Sequence, residues 1–415
     1  MKLKSNCIIG QSGGPTAAIN ASLSGIIQEI ANADLYHTIY GMIHGIEGLL
    51  QGKYLDLSAV FDTPEKLNTL TATPSMYLGS CRFKLPTCED AESIYTSLFD
   101  FFESNDITTV FYIGGNDSMD TVLKLSSYAK SHNKQVNIIG IPKTIDNDLP
   151  VTDHTPGFGS AAKFVATSLL EIAHDTYIYN IPSVTIVEIM GRNAGWLTAS
   201  AALARTSYSP APDLIYLPEV PFSTDQFIED VKRIRKLRKN VIIAVSEGIK
   251  DSDGHYISAS TSTLDAFGHK QLCGAGKTLE NILKPVLKCK IRSIELNVLQ
   301  RAASHIASAT DLNEAVLIGK KAAQIGSAGE TAQMVCYHRT SSSPYTIEIG
   351  HHAIEEIANK EKSVPLQWIS EEHNDITPAF MAYLQPLIQG EPEITYKNGI
   401  PLYADVTHLH QKDYF

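Results

Sequence analysis

The sequence predicts an α/β protein: two similar three-layer lobes, each a mostly parallel sheet with helices on both faces, and a ligand site in the cleft between them. Three observations carry this reading. Short, β-branched apolar runs alternate with longer amphipathic segments, as in sheets covered on both sides. Those runs end in polar or glycine-rich turns. One turn, Ile141-Pro-Lys-Thr-Ile-Asp-Asn-Asp-Leu149, gathers a lysine and two carboxylates behind a strand, where open α/β sheets bind ligands.

Taken in order, residues 7–10 form a strand that feeds the turn Gly10-Gln-Ser-Gly-Gly-Pro-Thr16, with a helix over 16–30. Residues 108–113 form the next strand, followed by Gly114-Gly115 and a helix over 118–129. The apolar run 137–141 reads as a buried parallel strand entering the lysine–aspartate turn. Residues 183–189 repeat the arrangement, with a turn at Gly191 and a helix from 194, and the strand at 240–245 ends at Ser246-Glu-Gly248. Residues 334–337 and 345–349 read as strands. The expected division is a first lobe of 1–155 plus about 300–340, a second lobe of 156–299, and a C-terminal extension of about 341–415 packed on both.

A chain of 415 residues with 43% hydrophobic content can build two such cores. The formal charge of -11 argues against nucleic acid or an anionic membrane as partner. It leaves room for a small phosphorylated substrate, whose site must be made locally by arginines, lysines and helix amino-termini. No apolar run reaches membrane-spanning length, and the first residues read as the approach to a strand rather than a signal peptide. Six cysteines form no Cys-x-x-Cys and no metal-ligand spacing with histidine, which fits thiols in a reducing cytoplasm.

The lysine–aspartate turn holds the residue types that phosphoryl transfer to a hydroxyl requires. One carboxylate accepts the proton, one lies near magnesium, and the ammonium of Lys143 meets phosphate oxygens. Taken alone, Asp146 and Asp148 also suit a cap or a turn. Gly13 and Gly14 let backbone approach a phosphate, though turn chemistry alone would also select them. Gly114-Gly-Asn-Asp-Ser118 offers more glycine than a helix cap needs, and its Asn116, Asp117 and Ser118 can hold both phosphate and magnesium. Arg192, in Met190-Gly-Arg192, can make a bidentate contact to phosphate or sugar hydroxyls, and Glu247 can accept from a sugar hydroxyl. Arg292 and Arg301, nine residues apart, carry little on spacing alone. Two other glycine patterns fail their context. Cys273-Gly-Ala-Gly-Lys-Thr278 has Gln271 where a P-loop needs its first glycine, and Gly157-Phe-Gly-Ser-Ala-Ala162 follows no strand.

In order along the chain, these residues resemble the phosphofructokinase family, and within it the pyrophosphate-dependent branch. The resemblance runs from Gly13 to Arg301 through the Gly-Gly turn, Gly-Gly-x-x-Ser, Pro-x-Thr-Ile-Asp-Asn-Asp, Met-Gly-Arg and the two distal arginines. It implies reversible transfer of a phosphoryl group from pyrophosphate to the C1 hydroxyl of fructose 6-phosphate, with Mg2+, in a cytoplasmic homodimer or homotetramer. Asp146 is implied as the base. Thr144, Ile145, Met190, Gly191, Arg192, Glu247, Arg292 and Arg301 are implied to hold the sugar phosphate. The donor falls to Gly13, Gly14, Arg82, Gly115, Asn116, Asp117 and Ser118, and the metal to Asn116 and Asp148. The first lobe is then the phosphoryl-donor lobe and the second the sugar-phosphate lobe.

Donor choice rests on two positions where ATP-using relatives carry glycine. By the resemblance, Asp117 would occupy the space of a nucleotide α-phosphate. Like charges about 4 Å apart cost about 4 kcal/mol at an effective dielectric of 20, enough for ~10³-fold discrimination. Lys143 supplies charge to the transferring phosphoryl group, so it is grouped with Asp146 and Asp117 as catalytic. The alternatives are an ATP-dependent enzyme of the same fold and a catalytically silent regulatory subunit. Three departures accompany the resemblance: Asn116 stands where many relatives have a magnesium-associated aspartate, Val298 where ATP users have a substrate histidine, and Ser183 where they have an arginine reaching a neighbouring subunit.

Overall fold

A computed structural model describes residues 4–81, 83–258 and 274–410. Two sheets organise it. The first has seven strands: β1 (Asn6–Gln11), β2 (Ile39–Met42), β3 (Tyr54–Asp56), β4 (Ile107–Gly114) and β5 (Asn137–Pro142), then β10 (Gln333–Ser342) and β11 (Tyr345–Ala353). The second has four: β6 (Ser183–Ile189), β7 (Leu214–Tyr216), β8 (Asn240–Ser246) and β9 (Lys290–Glu295).

The first sheet runs β11-β10-β5-β4-β1-β2-β3, parallel except for its edge strands β3 and β11. Side-chain alternation divides it between two cores. Ile9, Phe111, Ile113, Ile139 and Ile141 face the helices Ile19–Ala33 and Ala309–Ser327. Ile8, Val110, Tyr112 and Ile138 face Cys88–Ser104 and Asn116–Ser131. The first two helices cross backbone to backbone: a Cβ on Gly25 would lie 2.1 Å from the carbonyl oxygen of Val316, and one on Gly319 would lie 2.2 Å from that of Ser22.

The second sheet, β7-β8-β6-β9, is wholly parallel. Helix Phe158–Tyr177 covers one face, and Thr224–Leu237 and Ala275–Leu283 cover the other. Among the described residues no helix is long and apolar enough to cross a membrane.

Several sequence expectations shift. The helix expected from residue 16 begins at Ile19, because the hydroxyl of Thr16 accepts the N–H groups of Ala18 and Ile19. The helix expected from 118 begins at Asn116 with Gly115 as its cap, so Asn116 and Asp117 lie in its first turn. The helix expected from 194 is a short turn at Trp196–Ala199. Residues beyond 340 continue both sheets' layers: β11 extends the first sheet, while Phe380, Tyr383, Leu384 and Leu387 close the core under helix Phe158–Tyr177. The two rejected glycine patterns have structural work. The carboxylate of Asp311 accepts the N–H groups of Gly157 and Ser160 at 2.9 Å each, so an internal anion already sits at that helix terminus. Of the pattern at 273–278, Gly276 donates its N–H to Glu188; Cys273 lies outside the described residues.

Candidate active site

Three strand ends make one wall of the cleft. β1, β4 and β5 are neighbours in register, so the turns that follow them emerge side by side. The Lys143 N–H donates to the Gly114 carbonyl at 2.9 Å, and the Ser12 N–H donates to Ile113 at 3.0 Å, which binds the three turns together. Gly13 adopts a left-handed φ of 82°, and a Cβ there would come 3.2 Å from Nζ of Lys143. Nζ itself donates to the Gly14 carbonyl at 2.5 Å. Burial pushes this ammonium down to about 7.

The turn after β5 is fixed from within. The Asp146 N–H donates to Oγ1 of Thr144, and the hydroxyl of Thr155 donates to the Thr144 carbonyl. Asn147 takes a left-handed φ of 52° and its amide reaches the hydroxyl of Tyr383, which leaves Asp146 and Asp148, on either side of it, lining the cleft. Burial raises the carboxyl of Asp146 above its ordinary range. Asp148 is pushed up to about 7, first by burial and then by the charges of Asp146 and Glu361. Its Oδ1 is buried without a hydrogen bond among the described residues.

The facing wall follows β6 and β8. The Gly191 N–H donates to Oε1 of Glu247 at 3.3 Å, and the Ser246 hydroxyl donates to the Gly191 carbonyl at 2.5 Å. Gly248 is needed because a Cβ would lie 2.0 Å from the Arg192 carbonyl oxygen. Arg192 lines the cavity with its Nε buried and without a hydrogen bond among the described residues, a donor suited to an anion. Burial pushes the Glu247 carboxyl up to about 7. The walls enclose a cavity of about 1040 Å3.

Gly13, Gly14, Gly115, Asn116, Asp117, Ser118, Lys143, Thr144, Ile145, Asp146, Asp148, Met190, Arg192, Glu247 and Arg301 all border this cavity. Gly191 shapes it through its backbone. Arg82 lies outside the described residues; the neighbouring Ser80 donates its hydroxyl to the Gly13 carbonyl. Arg292 is elsewhere. It stands on β9 opposite Thr185, and its guanidinium contacts Thr185, Thr176 and Asp175 rather than the cleft.

Asn116 differs from its expected role. Its Oδ1 accepts the Asn359 N–H at 2.8 Å and its Nδ2 donates to the Lys360 carbonyl at 2.7 Å, so both ends of the amide fasten a segment of residues 359–364 across the cleft. That segment brings Glu361 to the cavity, where Asn193 donates to its carboxylate at 3.2 Å. Glu361 is the residue that sequence reasoning missed. Asp148, with its orphaned Oδ1, and Glu361 line the same cavity and offer the oxygen donors that a hard cation such as Mg2+ takes.

The sequence profile described as Phosphofructokinase matches residues 6–325. The chain belongs to the phosphofructokinase family. A pyrophosphate–fructose 6-phosphate 1-phosphotransferase from Halomonas elongata is 39% identical over 402 residues, 96% of this chain and 95% of the relative. Among solved structures, the pyrophosphate-dependent phosphofructokinase of Marinobacter aquaeolei superposes with a TM-score of 0.86 at 36% identity, covering 97% of this chain and 96% of that one. The Nitrosospira multiformis pyrophosphate-dependent phosphofructokinase gives a TM-score of 0.87 at 35% identity with the same coverage.

Proposed function

We propose that the protein is a pyrophosphate-dependent phosphofructokinase, which transfers a phosphoryl group reversibly between pyrophosphate and the C1 hydroxyl of fructose 6-phosphate. The observation that carries this reading is the placement of Lys143, Asp117 and Asp146 in one cleft, between two glycine turns and Arg192. The cleft is polar and buried, so charges in it act at low effective dielectric and are worth more than in water.

Asp146 takes the proton of the C1 hydroxyl as that oxygen attacks the terminal phosphorus. Burial raises its basicity toward the working pH, which favours it as a base. Lys143 lies against the Gly13–Gly14 turn and neutralises the transferring group. Its lowered affinity for a proton reverses when pyrophosphate brings negative charge beside it. Asp117 excludes a nucleoside triphosphate from the same turn. Arg192 and Arg301 hold the sugar 6-phosphate, with Thr144, Ile145, Met190, Gly191 and Glu247 around the sugar. Gly14, Gly115 and Ser118 hold the pyrophosphate. Asp148 and Glu361 would hold Mg2+, which supplies charge neutralisation on the pyrophosphate oxygens when bound. Arg292 contacts Thr185, Thr176 and Asp175 outside the lining of its own cleft and is given no part in this assignment. A homodimer or homotetramer in the cytoplasm, with a donor lobe of 1–155 plus about 300–340 and a sugar lobe of 156–299, completes the proposal.

The test is formation of fructose 1,6-bisphosphate from fructose 6-phosphate and Mg2+, with pyrophosphate or ATP offered separately. Turnover with pyrophosphate alone supports the reading. Turnover with ATP alone overturns the donor assignment, and silence with both overturns the enzyme itself.

A further inference from the structure

The hairpin of β10 and β11 is joined to the rest of the first sheet by a short seam. β10 pairs with β5 only at Gln333 and Met334, so the hairpin runs on beyond the sheet with β11 as its edge. Along one face of it, Cys336 and His338 follow at alternate positions of β10. His352 stands on β11 opposite Met334, two pairs before Cys336↔Gly350. Alternation in register puts all three on the same side.

Their ligand atoms converge. The Sγ of Cys336 and a ring nitrogen of each histidine lie within 4.8 Å of one another. Sγ is 3.3 Å from Nε2 of His338, and the two imidazoles approach to 5.3 Å between centroids. A tetrahedral ion with zinc–sulfur near 2.3 Å and zinc–nitrogen near 2.0 Å separates those atoms by about 3.6 Å. The observed spacing thus needs little movement. Gly350 leaves the space in which the rings meet: a Cβ there would lie 2.7 Å from Nε2 of His338. Behind His352, the carboxylate of Glu356 comes within 3.5 Å of Nδ1, the arrangement that fixes the tautomer of a metal-bound histidine. A thiol–imidazole hydrogen bond would account for Cys336 and His338 alone. It does not account for the second imidazole or for the carboxylate behind it.

We propose that Cys336, His338 and His352 form a site for a borderline-soft divalent transition metal of the zinc class, oriented by Glu356 and separate from the oxygen-lined magnesium position. Thiolate and imidazole select such ions over Mg2+, which takes oxygen ligands. Three protein ligands leave the fourth position to water, and His338 and His352 are half-exposed, which opens a path to solvent. The thiol loses its proton to solvent as the metal–sulfur bond forms. The ion staples β10 to β11 where the sheet no longer supports them. It lies just ahead of the segment that carries Asn359 and Glu361 to the active cleft.

The test uses the full-length chain, stripped with a chelator and kept in millimolar Mg2+, and titrates it with Co2+ by absorption spectroscopy. The expected result is one Co2+ per chain with a thiolate-to-cobalt charge-transfer band, displaced by Zn2+. Cys336→Ser removes the band, and Glu356→Gln weakens binding about 10- to 100-fold. His352→Asn, at a half-exposed position, weakens binding at least as much and decides the matter if Cys336→Ser does not fold. Absence of the band in folded wild-type protein overturns the proposal. So does a band that persists in Cys336→Ser, or unchanged affinity in His352→Asn.

Discussion

The two walls of the cleft are built in different ways. The donor wall comes from three adjacent strand ends, with Ser12 tied to Ile113 and Lys143 to Gly114 backbone to backbone. The sugar wall draws on the ends of β6 and β8, a turn near Arg301, and the segment 359–364 that arrives from far along the chain. The donor wall holds its groups by main-chain bonds between turns; the sugar wall relies on the side chains of Ser246, Glu247 and Asn193. The first arrangement suits a small, highly charged and rigid ligand. The second suits a larger one whose hydroxyls must be told apart.

This contrast can be broken at several points. Asp146→Ala, on the donor wall, should lower kcat by ~10² or more with little change in fructose 6-phosphate affinity, as steady-state kinetics would show. Unchanged turnover would remove it as the base. Replacing Asp117 and Lys143 together with glycine should shift the ratio of ATP to pyrophosphate use by up to ~10³. A competition assay in which ATP use does not rise would mean the donor wall does not select by charge. Glu361→Gln, on the sugar wall, should raise the Mg2+ concentration for half-maximal rate by about 10-fold, the effect of losing one charge-assisted contact of about 1.4 kcal/mol. Calorimetric Mg2+ affinity equal to wild type would return the ion to Asp148 alone.

The smallest effect concerns stability. Glu247 binds its proton more tightly in the fold than in the unfolded chain, with its carboxyl raised from 4.5 to about 7. Its favourable contribution is complete below pH 4.5 and is lost as pH rises through 7. Glu247→Gln keeps an acceptor for the Gly191 N–H and has no proton to lose. Thermal unfolding should therefore find it more stable than wild type above pH 7, by at most roughly 3 kcal/mol, and equal to it near pH 4. A constant difference at both pH values would show that burial of this charge is not the cause.

The same contrast explains what was legible in the sequence. β6 and β8 stand out because they are rich in β-branched residues and buried on both faces, and the donor turns because their chemistry is contiguous. Helix starts slipped by two or three residues where local chemistry competed: Thr16 holds the backbone in a turn, and Gly115 caps before Asn116. Arg292 and Arg301 looked equivalent by spacing. A strand carries the first and a short helix beyond a turn carries the second, so they point to different places. Glu361 gave no local signal. It sits in the run Asn-Lys-Glu-Lys at 359–362, which reads as a solvated surface, and its partner Asn193 is 168 residues away. The cluster at Cys336 had no local signal for a related reason: Cys336 and His338 are two residues apart, but His352 arrives across a hairpin.

The segment 359–364 also limits how the molecule can move. Asn116 grips it on one side of the cleft. On the other, the Trp196 indole donates to the Lys362 carbonyl and Glu219 accepts the Val364 N–H. Six residues pulled straight span at most roughly 20 Å. While those bonds hold, the two sheets can part at this edge by no more than the tether's own length.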